Sequence, residues 1–206
     1  MFYLVRSHWW LKRIYPGRVW DMEGSDKNIY LSFDDGPEPG VTPFVLDELA
    51  KYNARATFFC IGRNRLQHPE LYDRILAEGH AVGNHSFDHL DGWKTNTAVY
   101  LDNVLKAKQD IDSDLFRPPY GRMTRSQQKQ IANAGFKTIM WSVLSGDFDG
   151  SVTSQQCCSN VINNAGSGAI IVFHDSQKAN EKMIYTLPLV LEHFTKQGYS
   201  FNKIVL

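Results

Sequence analysis

Short apolar runs alternate with amphipathic segments along most of the chain. Ile29–Phe33, Ala56–Ile61 and Ala169–Phe173 are apolar without alternation, which is typical of strands buried on both faces. Further strands are predicted at 81–82, 115–116, 136–144 and 199–206. Hydrophobic residues recur at helical spacing between them, which predicts helices at 42–52, 69–78, 97–112, 124–134, 153–164 and 181–196. Roughly seven strands, nearly all followed by a helix, indicate βαβ units and a parallel sheet.

Residues that favour helix ends lie at the boundaries of these segments. Thr42 and Thr124 are suitable N-caps, and Pro43 fits the first turn of its helix. Gly79 and Gly135 follow the last apolar residue of their segments, where a glycine commonly ends a helix.

Two architectures satisfy this alternation, a closed or nearly closed barrel and an open doubly wound sheet. Polar residues favour the barrel, because clusters of them follow five strands and the carboxyl ends of barrel strands meet on one face. These clusters contain Asp34, His85, Arg117, Asp147 and His174. We therefore expect a single α/β domain at residues 28–206, with 1–27 as an aromatic and basic segment packing on it.

Composition and charge exclude some classes of protein. The chain has 206 residues, of which 43% are hydrophobic, enough for one domain with a substantial core. Basic and acidic residues number 22 each, so no charge pattern typical of nucleic-acid or anionic-membrane binding is visible. The three cysteines are odd in number and two of them are adjacent, which argues against a disulfide framework. None lies in a CxxC pattern, which argues against a thiolate zinc site.

The aromatic start of the chain is interrupted by charged residues. No signal peptide is recognised there, and no apolar run approaches the length of a membrane span. By default we expect a cytoplasmic protein, while an association with the cell envelope stays open. Trp9, Trp10 and Trp20 are expected to cap one end of the core, and anchoring at a membrane surface is the alternative.

Asp34 and Asp35 stand side by side where the first strand ends. Two such carboxylates repel each other unless a positive charge lies between them, so they indicate either a metal ion or an ordinary Asp-Gly-Pro turn. His85 and His89 are four residues apart, a spacing that lets two imidazoles bind one ion. With Asp35 they make a two-histidine, one-carboxylate set, which leaves open positions for water and substrate.

Other enzyme classes fit the pattern less well. A serine hydrolase of the G-x-S-x-G type is disfavoured because that motif does not occur in the sequence. A non-haem iron oxygenase would use the same ligand set, but it would not need Asp34, Arg117 or His174.

Four motifs occur in order and together carry a resemblance. They are S-F-D-D-G-P at 32–37, H-S-F-D-H at 85–89, R-P-P-Y-G at 117–121 and V-F-H at 172–174. The chain resembles the polysaccharide deacetylase family, carbohydrate esterase family 4 with its NodB-homology domain, over about residues 28–206. The resemblance implies a distorted (β/α)7 barrel, which agrees with the strand count.

The resemblance also implies roles for individual residues. Asp35, His85 and His89 would bind a divalent metal, usually Zn²⁺, with Co²⁺ or another divalent ion as an alternative. Asp34 would be the general base that takes a proton from metal-bound water.

The remaining implied roles concern charge and the leaving group. Arg117 would pair with Asp34 and hold it ionised, and the backbone N–H of Tyr120 would complete an oxyanion hole. His174 would be the general acid that protonates the departing amine, and Asp147 would tune it.

The chain departs from the family pattern at three positions. Between R-P-P-Y-G and V-F-H the family has a further motif, which is often D-x-x-D-W. In this chain Leu144 replaces its first aspartate and Phe148 replaces its tryptophan. Ala81 stands where glutamate is common. The stretch 147–150 could also be a solvated turn, while a calcium loop is disfavoured because a suitably placed glutamate is missing.

Trp93, Tyr120 and Phe148 are candidates for stacking on sugar rings, with ordinary packing as the alternative. The sequence thus predicts a metal-dependent N-deacetylase of glycans that contain N-acetylglucosamine, such as peptidoglycan or chitin. The alternatives are a glycan-binding relative that is non-catalytic or altered in specificity, and an O-acetyl esterase. A glycan is the expected partner, without nucleic acid or a transmembrane segment.

Overall fold

A computed structural model describes residues 3–24 and 26–206. Its strands are β1 (Arg18–Val19), β2 (Asn28–Asp34), β3 (Thr57–Cys60), β4 (Ala81–Asn84), β5 (Leu115–Phe116), β6 (Lys137–Ile139), β7 (Val143–Leu144), β8 (Ile170–His174) and β9 (Ser200–Phe201). Its helices are α1 (Trp9–Ile14), α2 (Thr42–Lys51), α3 (Gly62–Gln67), α4 (Pro69–Ala77), α5 (Thr97–Lys108), α6 (Arg125–Asn133), α7 (Ser154–Ile162) and α8 (Asn180–Lys196). A single 3₁₀ turn covers Pro119–Gly121.

The strands form one curled parallel sheet. Their order is β1-β6-β5-β4-β3-β2-β8-β7, and β9 adds to the start of β2. Within the described residues β1 and β7 do not pair with each other, so the barrel is open between them. The predicted single-domain α/β fold, a distorted (β/α)7 barrel, is confirmed.

Three phenylalanines show how the sheet sets the register of its strand ends. Phe33 lies opposite Phe58 on one side and Phe173 on the other, with ring centroids 5.0 and 6.0 Å apart. All three are buried, so any slip between the strands would break this stack. The same register places Asp34 directly beside His174, one residue further along β2 and β8.

The segment before β2 lies along the open edge of the barrel. Arg6 bridges Val143 of β7 in antiparallel fashion, and Asp21 bridges Ala169 in the same way. Trp20 is buried, whereas Trp9 and Trp10 are 68% and 41% exposed. The expectation that all three tryptophans cap the core is therefore wrong for the first two, because α1 carries no buried residue.

Two predicted strands are shorter than expected. The run 136–144 is two strands, because the backbone changes partners: Met140 N–H donates to the Val19 carbonyl of β1, and Ser142 N–H donates to the Ile170 carbonyl of β8. The last strand ends at Phe201, after which the Ile204 N–H donates to the side chain of Thr57. The elements α1, β1 and α3 were not predicted, since each is at most six residues long.

The observed helix ends agree with those predicted from the sequence, except at the start of α2 and the end of α5. Thr124 forms a capping box with Gln127, as its position before α6 suggests. Thr42 is not the N-cap of α2, because the N-cap is Val41. The Thr42 hydroxyl instead accepts from Glu38 N–H and donates to the Asp175 carboxylate at 2.6 Å. Helix α5 ends four residues before its predicted end at 112.

Two further properties of the described residues limit what the fold can do. None of the described helices is both long and apolar enough to cross a bilayer. Cys60, Cys157 and Cys158 are buried free thiols, and burial raises the pKa of each. Unreactive thiols of this kind make no metal or nucleophilic site.

Candidate active site

Polar side chains meet where β2, β4 and β8 end, with contributions from the loops after β5 and β7. Asp34 and Asp35 follow Phe33, and His174 is the last residue of β8. His85 follows β4 directly. Because these strands are parallel, their carboxyl ends share one edge of the curled sheet.

A left-handed residue explains how two adjacent aspartates reach one cavity. Asp34 is still in the extended strand, whereas Asp35 has φ of 82°, so the chain turns between their side chains. The Asn64 amide donates to the Asp35 carbonyl at 2.7 Å and holds this turn. Gly36 follows, and a Cβ there would lie only 2.0 Å from an oxygen of the buried Asp175.

The loop after β4 brings both imidazoles of the H-x-x-x-H pair to Asp35. Ser86 and His89 adopt positive φ, so the loop is tight rather than helical. The Asn103 side-chain oxygen accepts from the backbone N–H groups of Phe87 and Asp88, at 2.9 and 3.0 Å. Asn103 lies in α5, so that helix fixes the shape of the loop.

The Asp35, His85 and His89 side chains have the geometry and the chemistry of a metal site. Their candidate ligand atoms lie within 4.8 Å of one another. The Nδ1 of His85 lies 2.8 Å from the Arg117 carbonyl and must donate a hydrogen bond to it. The lone pair of Nε2 is therefore free to coordinate an ion, and Nε2 lies 3.7 Å from Asp35 Oδ1. The orienting carbonyl is the kind of second partner that metal-binding histidines have.

Asp35 itself supports this interpretation. Its buried Oδ1 lies 3.2 Å from His89 Nε2, yet it takes part in no well-formed hydrogen bond with any described residue. Burial acts to raise the pKa of Asp35, but contact with His89 and the charges of His174 and His85 lower it well below its usual range. Burial also lowers the pKa of His85 to about 4, so this imidazole is neutral. An ionised oxygen beside the neutral imidazole of His85 fits a divalent cation.

Asp34 is held by a buried arginine. Arg117 is fully buried, and its Nη1 donates to Asp34 Oδ1 at 2.6 Å and to the Ser32 hydroxyl at 2.8 Å. The other guanidinium nitrogens donate to the carbonyls of Ile139 and Met140, at 3.3 and 3.0 Å. Because all three guanidinium nitrogens of this buried ion pair make hydrogen bonds, Asp34 is held in one geometry, with its second oxygen free of side-chain donors among the described residues.

His174 has a partner of its own. Its Nδ1 lies 2.8 Å from Asp147 Oδ1, and its backbone N–H donates to Asp147 Oδ2 at 2.7 Å. Burial acts to lower the pKa of His174, but the charge and hydrogen bond of Asp147 outweigh it and raise the pKa to about 10. The imidazole is therefore a proton donor at neutral pH, with Nε2 as its free edge.

Tyr120 lies at the rim of the site in a strained turn. Its φ and ψ are 60° and 8°, and its side chain is 54% exposed. Its ring packs edge-on to His89, with centroids 4.6 Å apart. No described backbone carbonyl accepts from its N–H, which leaves that donor for a ligand.

Two other aromatic candidates differ in their surroundings. Trp93 is 64% exposed, and the Arg122 guanidinium lies 5.0 Å from its ring centre. Arg122 is in turn held by Asp91 at 2.9 Å. Phe148 is half-buried and packs against the His174 ring with centroids 5.1 Å apart, so it lies deeper in the site than Trp93.

Two of the three departures from the family motifs, Leu144 and Ala81, fall outside the centre of the site, whereas Phe148 packs against His174. Leu144 is buried in β7, and its N–H donates to the Val5 carbonyl of the N-terminal segment at 2.8 Å. Ala81 begins β4 and pairs with Thr57, at the strand end opposite to His85. Asp147 retains its contact with His174 although the motif around it is altered.

Two supporting residues had not been given a role from the sequence: Asn103 and Asp175. Burial raises the pKa of Asp175 to about 8 against the hydrogen bonds that it accepts from Thr42 and Gly36. The dipeptide His174–Asp175 at a strand end was the available signal for Asp175. Asn103 acts through contacts distant in sequence, and no local pattern marks it.

Comparisons with known proteins agree with the fold and the motifs. A family sequence profile described as polysaccharide deacetylase matches residues 21–139. A peptidoglycan-N-acetylglucosamine deacetylase of Bacillus cereus is 35% identical over 189 residues, which cover 89% of each chain. The PgdA enzyme of Listeria monocytogenes, of the same description, is 36% identical, but the match covers only 38% of its length. A chitooligosaccharide deacetylase of Bradyrhizobium is 37% identical, with 79% of this chain and 76% of the relative covered.

Solved structures give the same result. A peptidoglycan N-acetylglucosamine deacetylase in complex with 4-naphthalen-1-yl-N-oxidanyl-benzamide superposes with a TM-score of 0.88 at 27% identity, over 96% of this chain and 95% of the other. The peptidoglycan deacetylase PdaC of Bacillus subtilis superposes with a TM-score of 0.79 at 30% identity, over 87% and 89%. With this fold, these motifs and these relatives, the chain belongs to the polysaccharide deacetylase family and is an enzyme of that class.

Proposed function

We propose that this chain hydrolyses the N-acetyl group of N-acetylglucosamine residues in a peptidoglycan-like or chitin-like glycan. The observation that carries the proposal is that three separate groups of polar side chains lie at one edge of the sheet. An Asp–His–His cluster, an Asp–Arg pair and a His–Asp pair lie side by side there, each with its own partners. The names of the relatives, which act on peptidoglycan or chitooligosaccharides, support the choice of substrate.

Asp35, His85 and His89 would hold a divalent ion, and Zn²⁺ is our choice because three protein ligands with an open position are typical of catalytic zinc sites. When bound, the ion supplies a Lewis acid that polarises the acetyl carbonyl and lowers the pKa of water. The protein contributes the fixed positions of the donor atoms, through the Arg117 carbonyl for His85 and Asn64 for Asp35.

Asp34 acts as the general base in this proposal. Arg117 occupies Oδ1, so Oδ2 accepts the proton of the attacking water. Burial of the Arg117–Asp34 pair keeps its geometry fixed. A positioned base of this kind contributes about 10²–10⁴-fold in rate.

His174 acts as the general acid in this proposal. Asp147 holds Nδ1, so Nε2 carries the proton that the departing sugar amine needs. An amine is a poor leaving group until it is protonated, and a cationic imidazole supplies this proton at neutral pH. The backbone N–H of Tyr120 is the donor proposed for the oxyanion of the tetrahedral intermediate, a contact worth about 3 kcal/mol in other enzymes.

The exposed rings at the rim would bind the glycan. Trp93 and Tyr120 are both more than half exposed, as contact with a sugar ring requires, and Phe148 lies beside the acid. Arg122 lies 5.0 and 5.9 Å from the Trp93 and Tyr120 rings, and this keeps both aromatic side chains oriented.

The test is acetate release from peptidoglycan, chitin oligomers and acetylated xylan. We expect release from the first or second of these, its loss after treatment with a chelator, and its recovery with Zn²⁺ or Co²⁺. Release from xylan alone would favour the O-acetyl esterase alternative. Binding of glycan without release in the presence of either metal would favour the non-catalytic alternative.

A further inference from the structure

The N-terminal segment pairs with β7 and so reaches the loop that carries Asp147. Arg6 bridges Val143, and the Leu144 N–H donates to the Val5 carbonyl at 2.8 Å. This antiparallel pairing runs toward the start of the chain as β7 runs toward Asp147. Tyr3 is thereby brought to the residues that follow β7.

Gly146 makes room for the Tyr3 side chain. Gly146 has φ of 82°, and a Cβ at this position would lie 2.9 Å from the Tyr3 hydroxyl. The Tyr3 ring packs against Phe148 with centroids 5.2 Å apart and planes tilted by 53°. Burial, followed by the nearby Asp149 carboxylate, raises the pKa of Tyr3 to about 12, so the hydroxyl is neutral.

Phe148 transmits this contact to His174. The Phe148 ring also packs against the imidazole, with centroids 5.1 Å apart and planes at 67°. Asp147 holds the same imidazole by its Nδ1 edge at 2.8 Å. Asp147 fixes one edge of the ring but not its tilt about that hydrogen bond, and Phe148 limits the tilt.

We propose that Tyr3 is a positioning residue for His174, acting through Phe148. This inference rests on the proposed function, since it assigns Tyr3 to the general-acid half of the reaction. Without the Tyr3 ring, Phe148 loses its backing and the imidazole gains freedom to tilt. The N–H group at Nε2 is then no longer aligned with the departing amine, while binding of the glycan and attack by water are unaffected.

The leaving group makes this proposal testable. Release of an amine needs the proton from His174, whereas 4-nitrophenyl acetate releases a stable phenolate without one. For Tyr3→Ala we expect kcat on an N-acetylated chitin oligomer to fall about tenfold, with KM within about twofold. Turnover of 4-nitrophenyl acetate should stay within about twofold, although Asp34→Asn should abolish it. Tyr3→Phe keeps the ring and should retain kcat on both substrates.

Two controls separate positioning from a general loss of structure. Tyr15→Ala removes a tyrosine of the same segment that stacks on Arg18 and does not reach the site, and it should leave both activities unchanged. Adding Tyr3→Ala to His174→Ala should cause no further loss, because the positioned group is already missing.

Several outcomes would overturn the inference. They are an unchanged kcat on the oligomer for Tyr3→Ala, an equal loss on both substrates, and an additive loss in the double variant. If the unmodified protein releases no acetate from any glycan, the proposed function fails instead. The two failures are therefore distinguishable.

Discussion

Replacing Arg117 by methionine should destabilise the fold strongly, because it leaves the Asp34 carboxylate buried without a partner. Arg117 is fully buried and Asp34 is 3% exposed, so water cannot take over the lost contact without rearrangement. Breaking a buried ion pair from one side costs about 3–5 kcal/mol. The carbonyls of Ile139 and Met140 also lose their donors, at about 1 kcal/mol each. Methionine regains some apolar burial, so we expect a net loss of at least about 3 kcal/mol.

The measurement is the free energy of unfolding in urea, followed by tryptophan fluorescence with chelator present throughout, so that metal binding adds nothing. The double variant Asp34→Asn/Arg117→Met should recover about 2 kcal/mol relative to Arg117→Met, because no unpaired charge remains. Arg63→Met is the control, since Arg63 makes an exposed 3.6 Å pair with Asp88 and its loss should cost less than about 0.5 kcal/mol. A loss below about 1 kcal/mol for Arg117→Met, or no recovery in the double variant, would refute this account of the pair.

Three other predictions test the catalytic groups and the packing around them. Asp34→Asn should lower kcat by about 10²–10⁴-fold while Zn²⁺ affinity, measured by calorimetry, stays unchanged; normal turnover would remove Asp34 from the role of base. Asp147→Asn should lower the pKa of His174 from about 10, so the basic limb of the kcat/KM profile should move to lower pH; an unmoved limb would contradict the pairing. In the unmodified protein the same raised pKa makes a contribution to the free energy of unfolding. This contribution is fully present below about pH 6.5 and is lost as the pH rises through about 10. Gly36→Ala should cost about 1–3 kcal/mol in urea unfolding, because its Cβ would lie 2.0 Å from a buried Asp175 oxygen; an unchanged midpoint would show that Asp175 yields freely.

Strand ends could be predicted because the information is local. Asp35, His85 and His174 each follow an apolar run, and parallel strands carry such positions to one edge whatever the details of the loops. The structure brings all three into the same site, with Arg117 beside them. The helix that Thr124 caps was predictable for the same reason, since its capping box spans four residues.

Contacts between distant residues could not be predicted in this way. Thr42 has the sequence position of an N-cap, but its hydroxyl is used by Asp175, which is 133 residues away. Phe136–Leu144 was predicted as one strand, yet it divides because Val19 and Ile170 accept from different parts of it. A local pattern gives the tendency of a segment, whereas its partner depends on the register and curvature of the whole sheet.

The pairing of residues 5–7 with β7 has a practical consequence for handling this protein. Removing or displacing those residues would uncover the backbone N–H and carbonyl groups of an edge strand, and such edges recruit strands from other molecules.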